Sequence, residues 1–90
     1  MFKNLILIPV YNDWKSLNKL LFMINKSIDK RNFIQILIID DFSSKKIDLV
    51  TKKLKKIKKI EVIKLKENVG SQKAIAVGLK YLHKKKKTRF

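Results

Sequence analysis

The stretch Ile36–Ser44, ILIIDDFSS, constrains the fold of this chain more than any other. Four apolar residues lead directly into two adjacent carboxylates, Asp40 and Asp41, followed by an aromatic and two hydroxyl side chains. An ionised carboxylate without partners is very costly in an apolar interior. The apolar half therefore predicts a buried strand, and the chain must leave the core at Asp40 or Asp41. Strand ends of this kind are where open α/β sheets bind ligands.

The composition predicts one small globular domain. The chain has 90 residues, of which 46% are hydrophobic, and a chain of this length buries about 60% of its unfolded surface. It has no cysteine, which excludes disulfides and thiolate sites, and a single histidine, His83, which excludes a histidine-rich metal cluster. Its first apolar run is too short to span a bilayer and ends unlike a signal peptide. We expect a cytoplasmic location, with attachment to a membrane surface as a further option.

The net charge of +16 attracts nucleic acid and anionic membrane. Nearly all of the positive charge is lysine, whereas sites that read bases or grip phosphates favour arginine. A codon bias toward A-rich triplets explains a lysine excess in every segment more simply, and no specific nucleic-acid binding is expected. The run KKLKKIKKI is interpreted first as the solvated face of an amphipathic helix, with a membrane or nucleic-acid surface as the alternative.

Three apolar runs alternate with three helical patterns. The predicted strands are residues 4–9, 33–39 and 60–65. The predicted helices are residues 14–29, 45–58 and a third that Ser71 can cap and that contains Leu82. Asn18 and Asn25 fall on the polar face of the first helix, and Ser43 or Ser44 can cap the second. This order predicts an α/β fold of three βα units with a parallel sheet, in one domain over residues 1–83, followed by a basic disordered tail over residues 84–90.

The exits of the three predicted strands hold most of the polar residues that are not lysine. They read VYND, DDFSS and ENVG, and parallel strands bring such exits to one edge of the sheet. From spacing alone, capping and loop solvation explain Asp40 and Asp41 better than a ligand contact does. An acid/base pair and a phospho-acceptor aspartate are weaker alternatives. Tyr11 and Trp14 are by themselves more typical of packing than of ligand stacking.

Three segments, IPVYND, ILIIDDFSS and ENVGSQKAIAVGL, form an ordered pattern over residues 5–82. In order and spacing they resemble the beginning of family 2 glycosyltransferases with the GT-A fold, and look most like the polyprenyl-phosphate sugar transferases. The resemblance implies a Rossmann-like amino-terminal half of the GT-A fold. It also implies a site for the nucleotide of a nucleotide sugar, linked to uridine or guanosine diphosphate.

The resemblance implies eight nucleotide-sugar-binding residues, in or close to the strand exits: Pro9, Tyr11, Asp13, Asp40, Asp41, Asn68, Gly70 and Lys73. Pro9 and Tyr11 would line the nucleoside. Asp13 stands where the family commonly has an acidic residue near the nucleotide. Asp41 would accept a hydrogen bond from an N–H of the base.

The other four residues would shape the site. Asp40 would brace its own loop, Asn68 and Gly70 would shape the third exit, and Lys73 would approach the diphosphate. One position departs from the family pattern, because Phe42 stands where glycine is usual. A positive φ at Phe42 would strain the loop.

The metal and acceptor chemistry of the family has no counterpart in the sequence. A complete member holds Mg²⁺ or Mn²⁺ through an Asp-x-Asp on a fourth strand and carries a later base, and neither is present here. We expect no catalytic residue, metal ligand or cofactor in this chain. The family pattern ends after Leu82, where a lysine run begins. This ending favours the interpretation that the chain is a truncated or frameshifted portion of a transferase and is inactive alone. The alternatives are a small basic protein that binds nucleic acid or membrane, and a remnant that does not fold stably.

Overall fold

The structure, a computed structural model, describes residues 4–29 and 34–88. Within them, three parallel strands form one sheet in the order β1 (Asn4–Val10), β2 (Ile34–Asp40) and β3 (Lys59–Lys64). Two helices, α1 (Trp14–Ser27) and α2 (Ser71–Thr88), pack on this sheet. The predicted α/β class and parallel sheet are confirmed. Phe33, expected to begin the second strand, lies outside the described residues.

The central strand, β2, is apolar on both of its faces. Ile36 and Ile38 belong to the core beneath α1, whereas Leu37 and Ile39 belong to the core beneath α2. Burial on both faces is typical of a strand in a parallel sheet. The strand stays apolar until Asp40, so the carboxylates come at its carboxyl end.

The first helix, α1, forms where the sequence predicts it. The Oδ1 atom of Asp13 accepts a hydrogen bond from Ser16 N at 3.1 Å and so caps the helix. Trp14, Leu17 and Leu21 pack inward against the sheet. Trp14 is a core residue, as its spacing alone indicates.

The predicted helix over residues 45–58 is wrong, because this segment consists of turns and irregular backbone. We call it the crossover, since it connects β2 to β3. It covers the same face of the sheet as α1, and Leu54 and Ile57 pack into that core. Ile47 and Val50, which a helix would place on the same apolar face as Leu54, are instead exposed. With no helix there, Ser43 and Ser44 cap nothing.

Two side chains of α1 supply hydrogen bonds that a helix would have made internally. Asn18 Nδ2 donates to Asp48 O at 2.7 Å, and its Oδ1 accepts from Val50 N at 2.9 Å. Asn25 Nδ2 donates to Lys53 O at 3.2 Å, and its Oδ1 accepts from Lys56 N at 2.9 Å. Like charges three or four residues apart disfavour a lysine-rich helix. The hydrogen bonds from the side-chain amides of Asn18 and Asn25 therefore favour an irregular backbone in the crossover.

The second helix, α2, lies on the opposite face, across β1 and β2. Ala74 and Gly78 are buried against the sheet, and their small size allows the helix to approach it closely. A Cβ atom on Gly78 would lie 2.6 Å from Leu7 Cδ1, so only glycine fits without a shift. Ala76, the third small residue of this helix, is exposed and takes no part in the approach.

The same helix continues to Thr88, through residues that the sequence predicts to be a disordered tail from Lys84. A contact with β3 explains part of this length. Tyr81 Oη and Lys85 Nζ both donate to the carboxylate of Glu61, the latter at 3.3 Å. The hydrogen bond from Tyr81 holds the pKa of Glu61 below its ordinary value. Residues 89–90 lie outside the described residues.

Candidate functional site

The three strand exits meet at the carboxyl edge of the sheet. Val10 lies opposite Asp40 in the register of β1 and β2, and Asp41 N donates to Val10 O at 2.8 Å. Two residues further along each exit, Asn12 N donates to Ser43 Oγ at 2.8 Å. The parallel topology thus brings the first and second exits together.

Asp41 joins the second exit to the third. Its Oδ1 accepts from Val69 N at 2.8 Å, and its Oδ2 accepts from Gly70 N at 2.8 Å and from Asn68 Nδ2 at 3.2 Å. The residue is only 3% exposed. A carboxylate has about four acceptor positions, so three donors leave room for one more hydrogen bond. Asp41 is therefore a fixed acceptor with capacity for a ligand.

Asp40 serves a different loop. It is fully buried, and its Oδ1 accepts from Ser43 N at 3.0 Å. Its Oδ2 has no hydrogen-bond partner within the described part of the chain. The two adjacent carboxylates thus hold separate loops, with Asp41 at the start of α2 and Asp40 within its own exit.

Two residues at this edge have left-handed backbone. Asn12 has a φ of 61° and Phe42 a φ of 62°. Asparagine tolerates this conformation, whereas a bulky side chain does so at a cost of roughly 1–2 kcal/mol. Phe42, which stands where the resemblance implies glycine, therefore has the positive φ that the sequence analysis identified as a source of backbone strain. The hydrogen bonds made by Asp41 N and Ser43 N, on either side of Phe42, hold the loop in this strained form.

Two cavities border the end of β1. The larger has a volume of about 200 Å³, and its lining includes Pro9, Tyr11, Asp13, Ser16 and Leu20. The smaller has a volume of about 80 Å³ and is lined by Pro9, Val10, Tyr11, Asp41 and Ser71. Pro9 and Tyr11 are common to both, so the two cavities adjoin at the first strand exit.

Four of the eight residues implied by the resemblance therefore border a cavity: Pro9, Tyr11, Asp13 and Asp41. Asn68 and Gly70 line neither cavity and instead donate hydrogen bonds to the carboxylate of Asp41. Lys73 is exposed in the first turn of α2 and lines neither cavity. The arrangement offers an apolar and aromatic wall with carboxylate acceptors beside it.

Electrostatics give Asp13 a distinct character. Hydrogen bonding by Ser16 holds the pKa of Asp13 below its ordinary value, and the nearby charges of Lys45 and Lys15 act in the same direction. The residue is exposed and ionised at neutral pH. An ionised carboxylate repels phosphate but accepts hydrogen bonds from hydroxyl groups, so this end of the larger cavity suits a sugar ring.

Sequence reasoning missed three residues at this edge. Ser43, read as a helix cap, is buried and accepts from Asn12 N. Asn12 Oδ1 accepts from Lys45 N at 2.8 Å and so ties the first exit to the start of the crossover. Ser71 lines the smaller cavity. Their shared signal is a polar side chain directly after a parallel strand or at the start of a helix.

The described residues offer no ligand set for the divalent metal of a complete enzyme. No group of three or more histidine, cysteine, aspartate or glutamate side chains lies close enough in them to hold an ion. The acidic pair at this edge is already engaged, since Asp40 and Asp41 accept hydrogen bonds from different loops. In the same part of the chain, neither helix has the length and apolar character needed to cross a bilayer.

Comparison with known protein families gives one match. The model for Glycosyl transferase family 2 matches residues 5–85, which is nearly the whole chain. A search of curated proteins and a search of solved structures each gave no match. The matched range contains all three strand exits and each of the eight residues considered above.

Proposed function

Since this chain belongs to glycosyl transferase family 2, we propose that the carboxyl edge of its sheet binds the nucleotide of a nucleotide sugar. The ligand we propose is a sugar linked to uridine or guanosine diphosphate. One observation carries the proposal. Asp41 is a buried carboxylate, fixed by three hydrogen bonds, at the wall of a cavity that Pro9 and Tyr11 also line.

The base is assigned to the smaller cavity. Uracil and guanine both present an N–H group, and a carboxylate is an acceptor without donors, so Asp41 would favour these bases. Val69 N and Gly70 N hold the carboxylate in place before the ligand arrives, which lowers the entropic cost of binding. Tyr11 is 53% exposed and supplies a ring that the base can cover.

The diphosphate is assigned to the start of α2. The first turn of this helix has no acidic residue and contains Lys73. The amino-terminal end of a helix favours anions through its free N–H groups and its dipole. Gly70, with a φ of 89°, makes the turn that brings this end next to Asp41. Asp13, across the first exit, would accept hydrogen bonds from sugar hydroxyls.

We further propose that these 90 residues bind the donor without transferring the sugar. In a complete enzyme the acceptor would be a lipid phosphate, as in the polyprenyl-phosphate transferases. The sequence contains no Asp-x-Asp, and the described residues offer no metal ligand set. The chain can be incubated with UDP- and GDP-sugars, Mn²⁺ and polyprenyl phosphate. Sugar transfer above background would contradict this part of the proposal.

Isothermal titration calorimetry with UDP and GDP tests the binding itself. The wild-type chain should bind at least one of them. Tyr11→Ala should weaken binding severalfold, because it removes the ring that the base would cover. The fold should be retained, since this ring is exposed. Asp41→Asn keeps the size of the side chain but places an amide where an acceptor is needed, so it should weaken binding further. Lys66→Ala, an exposed change outside both cavities, is the matched control.

The competing function is non-specific binding of nucleic acid, which the charge of +16 favours. The two functions differ in their response to salt. Binding to DNA or RNA should weaken steeply as salt rises and should not depend on Asp41 or Tyr11. Nucleotide binding should depend on both residues and respond weakly to salt. A wild-type chain that binds neither UDP nor GDP, while folded by circular dichroism, would exclude the proposed function.

A further inference from the structure

The layer made by α1 and the crossover has an outer surface that the nucleotide site does not use. Between positions 45 and 58 the sequence has seven lysines and one acidic residue, Asp48. Six of these lysines are exposed: Lys45, Lys46, Lys52, Lys53, Lys55 and Lys58. Because the crossover is irregular, these charges do not form one face of a helix.

Large apolar side chains are exposed on the same layer. Phe22 is 46% exposed, Met23 62%, Ile47 44% and Val50 57%. We call these four residues, together with the exposed lysines of positions 45–58, the crossover surface. Lys26 lies on it as well, with its Nζ 5.6 Å from the centre of the Phe22 ring.

The hydrogen bonds of α1 hold this surface together. Asn18 and Asn25 bind the backbone of the crossover at four points, and Trp14 Nε1 donates to Lys45 O at 3.4 Å. Val50 N is itself bonded to Asn18, which fixes the backbone of an exposed apolar residue. The exposed apolar groups and the lysines therefore share one surface instead of separating into a buried stripe and a solvated face.

We propose that the crossover surface docks this protein onto a lipid bilayer that contains anionic lipids. Each lysine near such a membrane strengthens binding by on the order of fivefold. Exposed aliphatic and aromatic side chains among basic residues are the groups that enter the interfacial region of a bilayer. Asp48 is the single acidic side chain in the crossover that opposes this attraction.

The chemistry of the surface favours lipid over nucleic acid. Nucleic-acid sites commonly use arginine and several stacking aromatic rings, whereas the crossover surface has no arginine and a single aromatic residue, Phe22. Ile47 and Val50 would gain nothing from a phosphate backbone, but they would lose water-exposed apolar area in a bilayer. The proposal does not depend on the nucleotide site, since no residue of the crossover surface lines either cavity.

Vesicle flotation with the full 90-residue chain tests the proposal. The probes are vesicles of phosphatidylcholine alone and of phosphatidylcholine mixed with phosphatidylglycerol, at low and high salt. We expect binding to the anionic vesicles only, and weaker binding as salt screens the lysines. Absence of binding to anionic vesicles at low salt would overturn the proposal.

Matched charge variants separate the crossover surface from general attraction. Lys52→Gln/Lys53→Gln and Lys80→Gln/Lys84→Gln each remove two exposed lysines, the first pair from the crossover and the second from α2. We expect the crossover pair to lower vesicle binding by on the order of 25-fold, well beyond the effect of the α2 pair. Equal losses would show attraction by net charge alone and would overturn the proposal.

A third variant tests the apolar side chains at constant charge. Ile47→Ser/Val50→Ser changes two exposed residues, and fluorescence of Trp14 in the core reports whether the fold is retained. We expect severalfold weaker binding to anionic vesicles. An unchanged affinity, or displacement of the vesicles by a small amount of RNA, would indicate a purely electrostatic surface and contradict the lipid assignment.

Discussion

The two connections of the sheet cover the same face, yet one is a helix and the other is not. α1 has a cap, Asp13, and lysines spread around its outer side, whereas the crossover has lysines at most of its polar positions. Both bury apolar side chains, Leu21 in α1 and Leu54 in the crossover. An apolar stripe therefore fixes which face a segment covers, but does not by itself fix its backbone conformation.

The comparison also changes the role of two residues of α1. Asn18 and Asn25 lie on what the sequence presents as the polar, solvated face of the helix. In the structure they bind the crossover backbone through both their donor and their acceptor atoms. Helix α1 thus supplies the hydrogen-bond partners that hold the irregular backbone of the crossover in place.

Core truncation should show the largest difference between the two connections. Leu21→Ala removes a fully buried side chain from a rigid helix and should cost about 3–4 kcal/mol. Leu54→Ala should cost about 2 kcal/mol, because an irregular segment can collapse into the space left behind. Urea unfolding followed by Trp14 fluorescence measures both, with exposed Leu20→Ala as control. Equal costs would show that the crossover is as rigid as α1.

Loss of an asparagine contact should have the next largest effect. Asn25→Ala leaves Lys56 N, in a partly buried hydrogen bond, and Lys53 O, in an exposed one, without their partners, at a cost of about 1–1.5 kcal/mol. Hydrogen exchange at the Lys56 amide should become faster in the variant. Lys26→Ala, one residue further on the exposed side of α1, should leave that amide protected. If exchange at Lys56 is the same in Asn25→Ala, the crossover is held in some other way.

The exits that precede the two connections carry different residue types at their left-handed position. Both have left-handed backbone, at Asn12 before α1 and at Phe42 before the crossover. Phe42→Gly should raise the free energy of unfolding by about 1 kcal/mol, because glycine adopts this φ without strain. Phe42→Ala removes the same ring but keeps the Cβ atom, so it should give no such gain. A gain of equal size in Phe42→Ala would locate the effect in the exposed ring and not in the backbone.

The smallest effect concerns the cap that only α1 has. Hydrogen bonding by Ser16 lowers the pKa of Asp13, so its stabilisation is present above the unfolded value, near 3.8, and is lost as pH falls through the lower folded value. Thermal unfolding of the wild type and of Asp13→Asn isolates this titration, since asparagine caps a helix without charge. The wild type should lose more stability than the variant below that pH. Parallel curves would show that the charge contributes nothing.

Much of the fold followed from residue patterns. Apolar runs predicted all three strands, and strand exits with polar residues predicted the edge where the cavities lie. The role of Asp41 in the loops could not be predicted, because its partners, Val69 N and Gly70 N, are backbone groups nearly thirty residues away. Backbone donors leave no mark on a sequence. The same reason explains why the amide contacts of Asn25 were missed.

By itself, the sequence determined the parallel sheet, the burial of β2 and the emergence of Asp40 and Asp41 at its end, because burial and charge are properties of residue type. Its motifs also indicated the family that the match over residues 5–85 shows. Only the tertiary structure decided that the crossover is irregular and that Phe42 is strained. It also decided that the two carboxylates hold different loops, with Asp41 bonded to the start of α2. These outcomes depend on contacts between distant segments, and local residue type cannot specify such contacts.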